Sequence, residues 1–96
     1  MKGTEKQIAW AQDLKPLAIE AINAGMQAFT SDARYDASNP KHAAVVTLWQ
    51  RRLANIERCD KAWILIDALQ YLSPKHSPLE NFADLNATLR LDKYFD

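Results

Sequence analysis

Two aspartates in the middle of the chain have a spacing that could support chemistry. Asp60 and Asp67 are seven positions apart in an apolar segment, so on a continuous helix they share one face near Trp63. Two neighbouring carboxylates can act as a general acid and base, or they can bind a hard cation. Alternatively, each caps another helix or pairs with a basic side chain such as Arg52, Lys6 or Lys15. We favour this second, structural interpretation.

Other reactive side chains do not form a recognisable catalytic set. The only histidines are His42 and His76, and neither stands in a signature with Cys59 or a serine. One cysteine and two distant histidines do not have the spacing of a zinc site. Gly3 and Gly25 stand alone rather than in a phosphate-binding loop. We therefore predict a protein without enzyme activity, cofactor or metal.

Arg52 is the cation that the helical pattern places nearest the core. It lies on the inner half of the helix predicted to begin at Pro40. A buried charge without a partner is costly, so we expect a carboxylate to pair with Arg52 inside the fold or at an interface.

Three further basic residues, Arg51, Arg58 and Lys61, fall on the polar side of the same predicted helix. A basic helix can lie along nucleic acid. However, Glu57 lies among them, and 12 basic against 12 acidic residues give a net charge of zero. Such a chain has no global field that would attract nucleic acid or an anionic membrane. A solvated helix face is the favoured interpretation, and nucleic-acid binding is the alternative.

The first helix is predicted from a capping box and a long amphipathic pattern. Thr4 and Gln7 have the T-x-x-Q spacing of a capping box, and an apolar stripe then runs to Phe29. Pro16 interrupts the pattern, but the stripe keeps its phase across it. We prefer a kinked continuous helix to two helices, the second of which would begin at Pro16.

The second helix is predicted to run from Pro40, capped by Asn39, to Leu72. A straight helix of that length would measure roughly 50 Å, whereas a compact chain of this size is only about 32 Å across. The helix must therefore bend or break, at residues 55–60, or project beyond its own domain and be covered by another molecule.

The third helix is predicted to begin at Ser77, with Pro78 at the first helical position and Glu80 completing a capping box. Its apolar stripe is Leu79, Phe82, Leu85 and Leu89, and the tail 91–96 is expected to pack against the core. The whole chain, 1–96, is thus predicted to be one all-α domain, a small helical bundle of three main helices with a long central second helix.

Tryptophan placement and the lack of a membrane segment complete the description. Trp10, Trp49 and Trp63 occupy core-like positions, although one of them could be exposed as an interface anchor.

Cys59 is expected to be a small buried hydrophobic residue. No apolar run reaches the ~20 residues of a membrane span, so we expect a soluble cytoplasmic protein.

The run GTEKQIAWAQDLK, residues 3–15, resembles a segment, roughly GTEKQIAWAEDIR, found at the start of small helical proteins in bacterial and phage genomes. In those proteins a second motif of the kind AKWWIDNR often follows. Its nearest counterpart here is DKAWILIDAL, residues 60–69, which keeps a tryptophan and an aspartate but lacks the closing Asn-Arg. The resemblance implies a small accessory protein of phage or mobile-element character, without enzyme activity. Such proteins often dock on a larger machine, and anti-CRISPR inhibitors are one such class.

These observations predict a non-catalytic protein-binding module, dimeric or inhibitory, that docks on a larger protein. The residues predicted to contact the partner are Arg51, Arg52, Arg58, Lys61, Trp63 and Asp67. The alternative function is nucleic-acid association through the basic face of helix two.

Overall fold

A computed structural model describes all 96 residues and contains five helices and no strand. The helices are α1 (Glu5–Ser31), α2 (Pro40–Arg58), α3 (Ala62–Leu69), α4 (Pro78–Ala87) and α5 (Arg90–Tyr94). The all-α prediction is confirmed. The prediction of three main helices is wrong, because the segment expected to form helix two is divided into α2 and α3, and the tail forms a short helix of its own.

Helix α1 runs without interruption through Pro16, which confirms one continuous helix rather than two, and Thr4 and Gln7 form the expected capping box. With 27 residues it is about 40 Å long, close to the 45 Å longest dimension of the molecule.

Helix α1, rather than the second helix, is the central element, because α2, α3 and α4 all pack on it. Its buried face includes Ala11, Ala18, Ala21 and Gly25, which are small enough to let neighbouring helices approach closely. The prediction of a central second helix is therefore wrong.

The second helical segment breaks at residues 59–61, one of the two outcomes expected from its length. Here the backbone of Lys2, near the N-terminus, pairs with the backbone on either side of Lys61. Lys2 N donates to Asp60 O at 2.5 Å, and Ala62 N donates to Lys2 O at 2.8 Å. We call this pairing the Lys2 bridge. Because Asp60 precedes α3 while Asp67 lies within it, the prediction that the two carboxylates share one helical face is wrong.

Gly3 makes the close approach of the N-terminus possible. Its φ is +144°, a conformation that side chains disfavour, and an added Cβ would lie 3.0 Å from the Cβ of Ala62. The glycine at the start of the GTEKQIAWA run thus has a steric role in seating residues 1–4 against the start of α3.

The turn between α3 and α4 is closed by the buried side chain of Asn81. Ser73 N donates to Asn81 Oδ1 at 3.1 Å, and Asn81 Nδ2 donates to Ser73 O at 3.0 Å. Ser77 and Glu80 form the predicted capping box of α4.

The end of the chain partly follows the sequence prediction. Leu91 and Phe95 are buried, which confirms that the tail packs on the core. Leu89 was predicted to belong to the apolar stripe of the third helix, but α4 ends at Ala87, so Leu89 leaves the stripe and is 79% exposed. None of the five helices is both long enough and apolar enough to span a membrane.

Gly25 marks the closest approach of α4 to α1. A Cβ built on Gly25 would lie 2.4 Å from two ring carbons of Phe82, well inside van der Waals contact. The ring of Phe82 therefore rests directly on the α1 backbone, and it also contacts Trp49, with ring centroids 4.7 Å apart.

We predict that Gly25→Ala destabilises the protein, although alanine is the better helix former by about 1 kcal/mol. Overpacking against Phe82 is expected to cost about 1–3 kcal/mol, which outweighs that gain. Urea unfolding followed by circular dichroism measures the difference. In a Phe82→Leu background, where the ring is absent, the same substitution should be neutral or stabilising. Equal effects in both backgrounds would show that the ring is not the obstacle.

Candidate interaction surface

An open depression, about 320 Å³ in volume, lies between the first turns of α1 and the exposed side of α3. We call it the tryptophan furrow. It is lined by Lys6, Gln7 and Trp10 from α1, by Trp63, Ile66 and Asp67 from α3, and by Gln70 at the end of α3. The Lys2 bridge sets this geometry, because it holds the start of α3 beside the start of α1.

Trp10 and Trp63 are each 47% exposed and line the same furrow. Both were predicted at core-like positions, and of the three tryptophans only Trp49 is buried. The break before α3 explains Trp63: the new helix turns Ala62, Leu65, Ala68 and Leu69 to the core and leaves Trp63 outside. In α1, the neighbouring Ala11 takes the core position and Trp10 lies at its edge.

Asp67 is held at one side of the furrow by two residues from the end of the chain. Tyr94 Oη donates to Asp67 Oδ2 at 2.6 Å, and Arg90 forms an ion pair with Oδ1. The Tyr94 hydrogen bond, together with the positive charges of Arg90 and Lys93, holds the pKa of Asp67 below its ordinary value of 3.8. The carboxylate therefore stays ionised and fastens the end of the chain to α3.

The expected pairing with a basic side chain is confirmed for Asp67, although the partner is not one of the three residues named, and no such pair is observed for Asp60. Asp67 pairs with Arg90 and Tyr94 instead of Arg52, Lys6 or Lys15. Lys15 Nζ donates to the carbonyl of Cys59 at 3.0 Å, which ties α1 to the break that follows α2. Arg90 belongs to α5, which is too short to show a helical period in the sequence. This pairing therefore could not be predicted from the pattern.

Arg52 is buried and has the carboxylate partners that the sequence analysis expected. Its guanidinium pairs with Asp92 and donates from Nε to Asp96 Oδ1 at 2.7 Å. It also lies over the ring of Trp49, 4.6 Å from the centroid. Two of its guanidinium nitrogens are thus bonded inside the fold, and contact of Arg52 with a partner stays a prediction.

The other predicted basic residues do not share one helix face. Arg51 and Arg58 are exposed on α2, where Arg58 donates to Asn55 Oδ1 at 2.5 Å. Lys61 lies outside α2, at the N-cap of α3, because the helix ends at Arg58. The prediction that all three lie on the polar side of one helix is wrong for Lys61.

The histidines and the cysteine occupy separate structural environments. His42 Nδ1 accepts a hydrogen bond from Asp36 N at 2.9 Å and the ring stacks on Tyr35. His76 Nδ1 lies 3.2 Å from Asn81 Oδ1. Cys59 is half-buried against the core at the break after α2, so it is less buried than expected. No group of three or more histidine, cysteine, aspartate or glutamate side chains is placed to hold a metal ion.

A second depression, about 470 Å³ in volume, opens between α2 and α4 over the end of α1. We call it the α2–α4 groove. Its apolar lining includes Met26, Phe29, Val46, Trp49, Phe82 and Leu89. Sequence reasoning missed this groove because it assigned Leu89 to a buried stripe. The sequence did contain a signal for this groove. Helix α2 carries more apolar residues than one neighbouring helix can cover.

Comparison with protein-family models, with curated proteins and with solved structures finds no match to this chain.

We predict that Arg52→Ala lowers the free energy of unfolding by about 2 kcal/mol, because hydrogen bonds to charged groups contribute about 1.5–3 kcal/mol each. In this variant, water can solvate the partly exposed carboxylates of Asp92 and Asp96, and this limits the loss of unfolding free energy. The neighbouring exposed Arg51 supplies the matched control, and Arg51→Ala should change stability by less than about 0.5 kcal/mol. Urea unfolding and limited proteolysis of residues 90–96 provide the measurements. Similar losses in both variants would contradict a structural role specific to Arg52.

A second prediction concerns acid pH and Asp67. Because its pKa is lower in the folded chain than the unfolded value of 3.8, its stabilisation is fully present above that value. It is lost as the pH falls through the lowered folded pKa. Asp67→Asn should therefore be less stable than the wild type at neutral pH, and this difference should shrink in acid. Urea unfolding over a pH series measures it.

The control for this experiment is Asp13→Asn, which alters an exposed aspartate of α1 that makes no side-chain hydrogen bond or ion pair. It should show no comparable pH-dependent difference from the wild type. If the stability difference caused by Asp67→Asn is constant across the series, the ionised carboxylate is not the stabilising species.

Proposed function

We propose that this protein is a non-catalytic protein-binding module that docks on a larger protein through the tryptophan furrow. The observation that carries the proposal is the meeting of Trp10 and Trp63, from distant parts of the chain, at one open surface with nearly half of each side chain exposed. Tryptophan is strongly enriched among the residues that dominate protein interfaces, since it offers a large apolar area and one hydrogen-bond donor.

The form of the furrow supports a protein partner. Its volume is at the lower end of the ~300–1,000 Å³ range of small-molecule pockets, and it is open to solvent rather than enclosed. Lys6 and Gln70 supply a polar rim beside the apolar surfaces of the tryptophans and Ile66. An apolar centre with a polar border is the usual arrangement of a protein–protein interface.

The location of the furrow agrees with the sequence resemblance. Apart from Gln70, its lining residues come from residues 3–15 and residues 60–69, the two segments that resemble motifs of small phage and bacterial proteins. This coincidence supports a phage or mobile-element accessory protein that acts in the bacterial cytoplasm. An inhibitor of the anti-CRISPR type fits such a docking module, with the larger machine as its target.

Capture from bacterial extract, with and without nuclease, tests the proposal. The wild type should retain a protein in stoichiometric amount, independently of nuclease, and the Trp10→Ala/Trp63→Ala variant should lose it. An Arg51→Ala/Arg58→Ala variant serves as the matched surface control and should retain the partner. Thermal unfolding of each variant verifies that it remains folded.

Two outcomes would contradict the proposal. If the tryptophan variant retains the same partner, the furrow is not the docking surface. If capture depends on nucleic acid and is lost in the arginine variant, the exposed cations of α2 carry the function. That result would establish the nucleic-acid alternative.

A further inference from the structure

His42, in the first turn of α2, binds the backbone of the loop that joins α1 to α2. Its Nδ1 atom accepts a hydrogen bond from the backbone N–H of Asp36 at 2.9 Å. A ring nitrogen can accept a hydrogen bond only while it carries no proton, so the neutral ring must hold its proton on Nε2. The loop is thus fastened to α2 by a bond that exists in only one protonation state of His42.

Two aromatic rings connect this bond to the rest of the fold. Tyr35 stacks on the imidazole with centroids 5.9 Å apart, and Phe29, in the last turn of α1, meets the rings of Tyr35 and His42 edge-on at 5.5 and 5.8 Å. We call these three residues the aromatic cluster. Phe29 also lines the α2–α4 groove, so the cluster extends to the edge of that groove.

The loop has few other ties to α2. The remaining hydrogen bonds of residues 32–38 join positions that are three apart or closer, whereas Asp36 and His42 are six apart. The bond to His42 is therefore the contact through which the loop backbone is held on the side chains of α2.

The charged groups around the ring come mainly from the loop. Asp32 and Arg34 line the same hollow as His42, but they form an ion pair with each other. The last four residues of α1, 28–31, carry no charge, and on α2 the neighbouring Lys41 is exposed. The remaining charge is the carboxylate of Asp36.

The Asp36 carboxylate is ionised throughout the range in which histidine titrates. Hydrogen bonds from the hydroxyl and the backbone N–H of Ser38, at 2.6 and 3.0 Å, hold its pKa below the ordinary value of 3.8. It can therefore accept a hydrogen bond from a protonated histidine.

Protonation of His42 reverses the role of Nδ1. The nitrogen gains an N–H that faces the N–H of Asp36, and two donors cannot form a hydrogen bond. The charged ring is attracted instead to the carboxylate of Asp36. His42 thus has a partner in both protonation states, but only the neutral ring binds the loop backbone.

We propose that His42 is a pH-sensitive switch: the neutral ring fastens the loop of residues 32–39 to α2, and protonation releases the backbone of Asp36 and loosens the aromatic cluster. The switch operates between about pH 8 and pH 5, where histidine side chains change charge. It is separate from the tryptophan furrow, with which the cluster shares no residue.

NMR spectroscopy of the full chain over a pH series tests the proposal. At neutral pH the chemical shifts of the His42 ring nitrogens should place the proton on Nε2. As His42 gains its second proton, exchange of the Asp36 amide, corrected for the intrinsic effect of pH, should become faster. The expected change is roughly threefold to tenfold, because one hydrogen bond alters an opening equilibrium by about that factor.

Two substitutions of His42 separate the acceptor from the ring. His42→Asn supplies an amide oxygen at the same number of bonds from Cα as Nδ1, and this oxygen does not titrate. The Asp36 amide should therefore stay protected across the pH series. His42→Phe keeps a ring in the cluster but has no acceptor, so the amide should exchange fast at every pH.

His76→Asn is the matched control, because it removes the other histidine of the chain and leaves the loop unchanged. This variant should keep the wild-type pH response of the Asp36 amide. Circular dichroism verifies that each variant is folded.

Four results would overturn the proposal. A proton on Nδ1 at neutral pH would exclude the hydrogen bond from Asp36. Titration of His42 without a change in exchange of the Asp36 amide would show that the bond does not hold the loop. A pH response that persists in His42→Asn, or one that is lost in His76→Asn, would assign the effect to another group.

Discussion

The structure depends on a backbone pairing between Lys2 and the residues on either side of Lys61. Two hydrogen bonds, from Lys2 N to Asp60 O and from Ala62 N to Lys2 O, hold the N-terminus in the gap between α2 and α3. Backbone N–H and C=O groups at a helix break lack partners within the helix and must form hydrogen bonds with water or with another segment of the chain. The pairing satisfies them, stabilises the break and fixes where α3 begins. The position of Trp63 relative to Trp10 follows from it.

Helix α1 provides the surface on which the other helices assemble. Alanine and glycine on its buried face allow α3 and α4 to pack close to the backbone, most clearly where Phe82 rests on Gly25. The larger side chains Leu14 and Ile22 fill the spaces between. The ionic contacts of Arg52 and Asp67 then hold the end of the chain, residues 90–96, against α2 and α3. In this design the longest helix is the core element, and the shorter helices cover it.

Local signals predicted the helix starts well, and long-range contacts explain what they missed. The capping residues Thr4, Asn39 and Ser77 identify three helix starts, because side-chain caps depend on nearest neighbours in sequence. The break at Cys59 was one of two outcomes derived from helix length, but its partner, Lys2, lies at the far end of the chain. The exposed tryptophans depend on that break, so periodicity within one segment assigned Trp63 to the wrong face. Of the predicted contact residues, the structure brings Trp63 and Asp67 together, buries Arg52 and separates Lys61 from Arg51 and Arg58.

The Lys2 bridge also has a consequence for the order of folding. The eight residues of α3 are too few for a stable isolated helix, so α3 depends on tertiary contacts to form. One of those contacts is the Lys2 bridge, which joins Lys2 to residues 60–62. The conformational entropy lost in closing the loop between them opposes formation of the bridge, and so of α3. During synthesis, α1 and α2 leave the ribosome while the bridge is still open, and the tryptophan furrow forms only after residues 60–69 have emerged. The surface proposed to bind a partner is therefore absent from a nascent chain that ends before residue 60.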